Sequence, residues 1–132
     1  MLLSQQRRFP RSPQSIGAAR TFTLVVLAQW RITDRSEDVR LCVSELATNA
    51  LLHGVPLGRE FCVGLSWACA KLRVEVRDGG SGRPERLAPG PSECSGRGLL
   101  LAAELADDFG VIHYAIGKTV RVDFKVSPAG AE

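Results

Sequence analysis

The stretch LCVSELATNALLHG, residues 41–54, has the pattern of the second half of an α-helix. Leucine, alanine and valine recur at helical spacing, proline is absent, and the stretch ends on Gly54. A glycine in that place predicts the residue after the helix C-cap, where a left-handed backbone costs glycine little. Because Glu45 and Asn49 are four residues apart, their side chains lie one turn apart on one face. We expect the fold to be organised around this helix.

The Glu45–Asn49 pair has two interpretations. As a site, the carboxamide oxygen of Asn49 can hold a hard cation such as Mg²⁺, and the carboxylate of Glu45 can accept a proton or orient a nucleophile. Taken alone, the pair more often belongs to the hydrated face of an amphipathic helix. Two glycine-rich stretches further along the chain favour the first interpretation.

The composition is that of one ordinary globular domain. The 132 residues are 45% hydrophobic and 23% charged, which is enough for one core. We expect a single domain over residues 1–132, with a loose leader at 1–13 that is able to contribute an edge strand and a frayed tail at 127–132. No apolar run is long enough to span a bilayer and no signal peptide is recognisable. The expected location is the cytoplasm, without membrane contact.

The charge distribution argues against a nucleic-acid-binding protein, and the cysteine spacing argues against a zinc protein. The net charge is +3, only 6% of residues are aromatic, and no block after the leader combines clustered basic residues with aromatic ones. Direct nucleic-acid binding is therefore not expected. Cys42, Cys62, Cys69 and Cys94 form no CxxC pair, and neither histidine lies at ligand spacing from them. We expect reduced thiols and no zinc.

Two helices are predicted in the first half of the chain. Ser15 is expected to cap a helix over residues 16–30. Ser36 is expected to cap the central helix, whose first turn carries Glu37 and Asp38 and which runs to His53. The apolar stripe expected on the first helix is Ala18, Ala19, Phe22, Val25, Val26, Leu27 and Ala28.

Strands are predicted in the second half. Alternating apolar residues favour a hairpin with Lys71 in its turn, and a later pair of strands joined at Gly117. A short helix lies between them, with Leu99, Leu100, Ala103, Leu105 and Ala106 turned inward. The predicted segments are strands at 61–67 and 72–76, a long loop at 79–97, a helix at 99–106 and strands at 109–114 and 119–126. This order predicts the α+β class: a two-layer sandwich with a mixed, mainly antiparallel sheet and helices on one face.

The glycine-rich stretches follow a strand and precede a helix. Asp78 ends a predicted strand and is followed by Gly-Gly-Ser-Gly. An aspartate there can accept a hydrogen bond from a ligand amino group while bare backbone lies against a flat ring. Gly96-Arg97-Gly98 opens the short helix, where free backbone N–H groups favour an anion. Either stretch alone is equally typical of a turn or a helix start.

Taken in order, the motifs SELATNALLHG, VEVRDGGSGRP, SGRGLLL and GKTVRVDF resemble the ATP-binding domain shared by gyrase B, Hsp90, histidine kinases and MutL. The chain is most similar to the small anti-sigma-factor serine/threonine kinases of that superfamily, over about residues 14 to 126. The resemblance implies a Bergerat-type ATP-binding fold with ATP and Mg²⁺ as ligands.

The resemblance also implies a role for each matching residue. Asn49 is the magnesium ligand, Glu45 the base beside the γ-phosphate, and Asp78 the acceptor for the adenine amino group. His53 is a structural residue of the helix end. The remaining nucleotide-binding residues are Gly80 and Gly82 near the ring, Thr119 at the same end of the ring, and Gly96, Arg97 and Gly98 at the phosphates.

Two functions remain open at this stage. In the first, a serine/threonine protein kinase phosphorylates a STAS-type anti-sigma factor antagonist, sequesters a sigma factor and forms a homodimer. In the second, a nucleotide-dependent module sequesters a partner without phosphotransfer. Glu45 favours the kinase, because binding alone needs no base there.

Overall fold

The computed structural model describes residues 2–53, 60–78, 97–114 and 117–126, with the backbone alone at His53, Arg97 and Gly98. Five strands and three helices lie in these ranges. In chain order they are β1 (Leu3–Pro10), α1 (Gln14–Gln29), α2 (Ser36–His53), β2 (Glu60–Ala68), β3 (Lys71–Asp78), α3 (Arg97–Leu105), β4 (Asp108–His113) and β5 (Lys118–Lys125).

The strands form one sheet in the order β1-β2-β3-β5-β4, and every neighbouring pair is antiparallel. The predicted α+β class is confirmed. Successive side chains of a strand point to opposite faces, and the apolar ones point towards the helices. The buried residues of that inner face include Phe61, Val63, Leu65, Leu72, Val74, Val76, Val120, Val122 and Phe124.

Helix α2 lies at the centre of the helical layer, in contact with α1, α3, β3 and β5. Its first turn carries Glu37 and Asp38, where negative charge interacts favourably with the helix dipole. Its buried apolar side chains are Val39, Cys42, Val43, Leu46, Ala47 and Ala50. The end predicted for this helix, His53, is confirmed, and Ser36, predicted as its cap, is already its first residue. Gly54 lies outside the described residues.

Helix α1 differs from its prediction in its cap and in its buried face. Its N-cap residue is Pro13, and Ser15 makes no capping bond but donates its hydroxyl to Pro10 O at 2.6 Å. Val25 is 50% exposed, whereas Thr23 is fully buried with its hydroxyl bonded to Ala19 O. A serine or threonine that satisfies its hydroxyl on a local carbonyl can be buried, so polarity was a poor guide to this face.

Helix α3 buries fewer of its apolar side chains than predicted. Leu99 and Ala102 are buried, whereas Leu100 is 59% exposed. Leu105 and Ala106 are partly buried against the core. The inward orientation predicted for Leu100 is wrong, because Leu100 lies outside the face on which Leu99 and Ala102 are buried.

The leader and the β2–β3 turn also differ from expectation. The leader contributes the edge strand β1, as predicted, but it is not loose, because it pairs with β2 along its whole length. Cys69 and Ala70, with φ of 53° and 62°, make the two-residue turn that the twist of a hairpin favours, and Lys71 is already in β3. Near that turn the rings of Trp30 and Trp67 stack with centroids 6.4 Å apart. Within the described ranges, no helix is both long and apolar enough to cross a lipid bilayer.

Candidate functional site

Asp78 is the last residue of β3 and lies on the inner face of the sheet. It follows Leu72, Val74 and Val76 in the alternation and pairs in register with Phe61 of β2 and Lys118 of β5. Its side chain is only 3% exposed. The strand therefore holds a carboxylate at the end of an apolar row, as the sequence predicts.

The carboxylate of Asp78 is only half satisfied. Lys118 Nζ donates to Asp78 Oδ2 over 3.4 Å, a long distance for a charge-assisted bond. Asp78 Oδ1 is buried and has no hydrogen-bond partner among the residues that the structure describes. An unpartnered buried acceptor costs about 1–3 kcal/mol. This oxygen is therefore a candidate acceptor for a ligand N–H.

Thr119, which the family resemblance puts at the same end of the ring as Asp78, lies on the opposite face of the sheet from Asp78. It pairs in register with Arg77 and so points to the outer face of the sheet. There its hydroxyl donates to Tyr114 Oη at 3.2 Å, and the guanidinium of Arg77 lies 5.6 Å from the centroid of the Tyr114 ring. The residue beside Asp78 is Lys118, which sequence reasoning missed. The register of β5 against β3 decides between the two neighbours, and a one-residue shift exchanges the faces.

Asn49 supplies a second unpartnered acceptor, from α2. The residue is 6% exposed, and its Oδ1 has no hydrogen-bond partner in the described part of the chain. Glu45, one turn earlier, is half-buried. Because α2 packs on β3, the helix with Glu45 and Asn49 lies against the strand that ends in Asp78.

The donor set fits a magnesium ion shared with a phosphate chain. Among the described residues no group of three or more His, Cys, Asp or Glu side chains is placed to hold a metal. Mg²⁺ binds through one or two protein oxygens together with phosphates and water, and Asn49 Oδ1 offers one such oxygen. A metal site made of protein ligands alone is not found within the described ranges.

The glycine-rich stretches are described only at one end. Gly80, Gly82 and Gly96 lie outside the described residues, as does most of the predicted loop at 79–97. Arg97 and Gly98 form the first turn of α3, so the predicted opening of a helix at this motif is confirmed. The N–H groups of a first helical turn have no partner within the helix and are available to an anion.

The buried thiol of Cys42 is not part of this chemistry. Desolvation raises its pKa to about 12, so it stays protonated and packs as a small apolar side chain. Burial also raises the pKa of Cys62. The expectation of unpaired cysteines agrees with Cys42, Cys62 and Cys69, which are all free thiols.

The sheet is antiparallel and covered by three helices, a buried aspartate ends one strand, and a buried asparagine lies on the central helix. Together these features define an ATP-binding domain of the histidine kinase-like class. The family model of the histidine kinase-like ATPase domain matches residues 9–124, and the chain belongs to this family.

A solved structure of the RsbU and RsbW domains of a Mycobacterium tuberculosis protein is similar to the chain, with a TM-score of 0.73 at 20% identity. The match covers 96% of this chain and 34% of that one, so the chain spans about a third of that structure. At this identity the likeness supports the fold. No curated protein matches the sequence significantly.

Proposed function

We propose that this chain binds Mg·ATP, phosphorylates a serine or threonine of a protein antagonist and sequesters a sigma factor. The observation that carries the proposal is a pair of buried acceptors, Asp78 Oδ1 and Asn49 Oδ1, on two packed elements of a histidine kinase-like ATPase domain. Neither atom has a hydrogen-bond partner among the described residues. Both atoms are costly without a ligand, and the polar groups of Mg·ATP satisfy both.

Asp78 and the first turn of α3 bind the two ends of the nucleotide in this proposal. Asp78 Oδ1 accepts from the amino group of the base, and Gly80 and Gly82 let the backbone approach the ring. Gly96 and Gly98 present N–H groups to the phosphates, and Arg97 adds a positive charge there.

Asn49 and Glu45 act at the reacting phosphate. Asn49 Oδ1 is one ligand of Mg²⁺, which when bound neutralises charge on the phosphates. Glu45 accepts the proton of the attacking serine or threonine hydroxyl. As the new bond forms between that hydroxyl oxygen and the γ-phosphorus, the bond from the phosphorus to the bridging oxygen breaks, and ADP keeps that electron pair. None of the ion pairs of the described residues involves Glu45, so no described cation occupies the carboxylate that takes this proton.

The proposed partners follow from similarity. The motifs of the chain resemble the anti-sigma-factor serine/threonine kinases, and the structural neighbour includes an RsbW domain. We therefore propose a STAS-type antagonist as phosphoacceptor, a sigma factor as the sequestered protein, a homodimer as the working form and the cytoplasm as its location. Candidates are to be identified by mass spectrometry of proteins that co-purify from the native host.

The decisive experiment separates binding from transfer on α2. Glu45→Gln keeps the size of the side chain but removes the base, so Mg·ATP affinity should be unchanged while transfer of labelled phosphate to the antagonist falls ~10²–10⁴-fold. Asn49→Ala removes the metal ligand, so affinity and transfer should fall together.

Glu37→Gln is the matched control. Its side chain is 80% exposed on the same helix, and its one described partner is Arg40, so both activities should persist. Wild-type transfer rates in Glu45→Gln would refute the proposed base. ATP binding without transfer to any candidate by the wild type would favour a module that sequesters its partner without phosphotransfer.

A further inference from the structure

The ion pair between Asp78 and Lys118 interrupts an otherwise apolar ladder. On the inner face, β3 and β5 pair Leu72 with Phe124, Val74 with Val122 and Val76 with Val120. The next inner pair is Asp78 with Lys118. The lysine side chain is 10% exposed and that of the aspartate 3%. Taking two charges out of water costs several kcal/mol per ion, and an apolar pair of similar volume is often as stabilising. Stability alone therefore gives little reason for a lysine here.

Lys118 has more N–H donors than it has hydrogen-bond acceptors within the described ranges. An ammonium group carries three N–H donors. The bond to Asp78 Oδ2 is the one hydrogen bond of Lys118 within the described ranges. The neighbouring oxygen, Asp78 Oδ1, is an acceptor without a donor. The pair thus presents a free acceptor and free donors side by side.

We propose that Lys118 is a second base-reading residue, which distinguishes the nucleobase together with Asp78. Asp78 Oδ1 accepts from the exocyclic amino group, and Lys118 Nζ donates to a ring nitrogen flanking that group. In adenine the amino group lies between two acceptors, N1 and N7, so an acceptor beside a donor matches this edge. The inference rests on the proposed function, because it assumes that the base of ATP lies at Asp78.

The test combines protein variants with base analogues in calorimetric titrations. The ligands are ATP, 1-deaza-ATP, 7-deaza-ATP and purine riboside triphosphate, which lacks the amino group. For the wild type, removal of one ring nitrogen should weaken binding by about 10-fold, the size of a hydrogen bond to a charged group, and removal of the other should have little effect. Lys118→Met should weaken ATP binding to the same degree and should no longer distinguish the sensitive deaza analogue from ATP.

Lys125→Met is the control on the same strand. Lys125 is an exposed residue at the far end of β5, and its variant should respond to every analogue as the wild type does. The response to purine riboside triphosphate should persist in Lys118→Met, because the amino group is read by Asp78. A purely structural lysine would change stability without changing the response to the deaza analogues.

The outcomes separate this inference from the proposed function. If the wild type binds ATP but is indifferent to both ring nitrogens, Lys118 does not read the base, whatever the variant does. Tighter ATP binding by Lys118→Met would also overturn the inference, because it would mean that the ammonium competes with the amino group for Asp78. If the wild type binds no ATP, the proposed function fails and this inference with it. The wild-type titrations alone can overturn the inference, even if Lys118→Met does not fold.

Discussion

Two buried aspartates on neighbouring strands of one sheet have opposite surroundings. Asp123 of β5 lies on the outer face, where its side chain is 4% exposed and both oxygens are bonded. Arg73 Nε donates to Asp123 Oδ1 at 2.8 Å, and Arg73 Nη2 and Arg121 Nη1 donate to Oδ2 at 3.1 and 2.9 Å. Asp78 of β3 is as deeply buried, but it has one long bond to Lys118 and an oxygen without a described partner.

The difference indicates what each carboxylate is for. The hydrogen bonds from the two arginines offset the cost of removing the Asp123 carboxylate from water, so this network contributes to stability. Asp78 has a buried acceptor without a partner in the described part of the chain, and in our proposed function a ligand N–H supplies the missing donor. The two side chains are equally buried, so burial alone does not distinguish them.

Of the two substitutions Asp78→Asn and Asp123→Asn, Asp78→Asn should have the larger effect on nucleotide binding. The carboxamide turns an acceptor into a group that can face the base with its own N–H donors. Mg·ATP affinity should fall by ~2–4 kcal/mol. Isothermal titration of the folded variant measures the loss, and unchanged affinity would contradict the assignment of the base to Asp78.

Asp123→Asn should change stability and leave binding alone. The variant leaves two arginines without their carboxylate, but both are partly exposed and can turn to water, so we expect a loss of about 2–3 kcal/mol in the free energy of unfolding. Urea denaturation measures this loss. ATP affinity of the folded fraction should equal that of the wild type, and a large drop would mean that the two faces of the sheet are coupled.

Asn49→Leu should separate stability from function in one residue. Leucine removes the unpartnered buried oxygen at similar volume, so the free energy of unfolding should be unchanged or about 1 kcal/mol higher. Magnesium-dependent ATP binding should nevertheless be lost, because no side-chain oxygen remains at this position. A stability loss above about 2 kcal/mol would instead assign Asn49 a structural role.

Asp107→Asn should have the smallest effect. Asp107 Oδ2 accepts from the N–H of Lys125 at 2.7 Å and from Arg35 Nη1 at 2.8 Å. The backbone bond from Lys125, followed by the bond from Arg35, lowers the pKa of this carboxyl group despite opposing desolvation. The side chain is 37% exposed, so we expect a loss of only about 0.5–1 kcal/mol at neutral pH.

The sign of the pH dependence of that loss follows from the lowered pKa. The contribution of Asp107 is complete above the ordinary aspartate pKa of about 4 and is lost as the pH falls through the lower folded value. The stability difference between wild type and Asp107→Asn should therefore shrink in acid. Urea denaturation at about pH 7 and about pH 3 checks this, and a difference that grows in acid would contradict it.

The sequence predicted what depends on local pattern. The end of α2 at His53 and the strand that ends in Asp78 were confirmed, because their side-chain periods are local properties. The buried face of α1 was mispredicted at Thr23, whose hydroxyl is satisfied by a carbonyl of its own helix. The resemblance predicted the acceptors, but it could not place Lys118 rather than Thr119 beside Asp78, because strand register arises from tertiary pairing.

The stacked pair of Trp30 and Trp67 has a practical consequence for these measurements. They are the only tryptophans of the chain, and Trp67 lies six residues along β2 from Phe61, the register partner of Asp78. That places the stack about 20 Å along the sheet from Asp78, where we propose that the base binds. Intrinsic fluorescence should therefore follow separation of α1 from the sheet and remain silent when nucleotide binds. Tryptophan fluorescence can then measure unfolding and titration calorimetry can measure binding, and nucleotide binding does not alter the fluorescence signal.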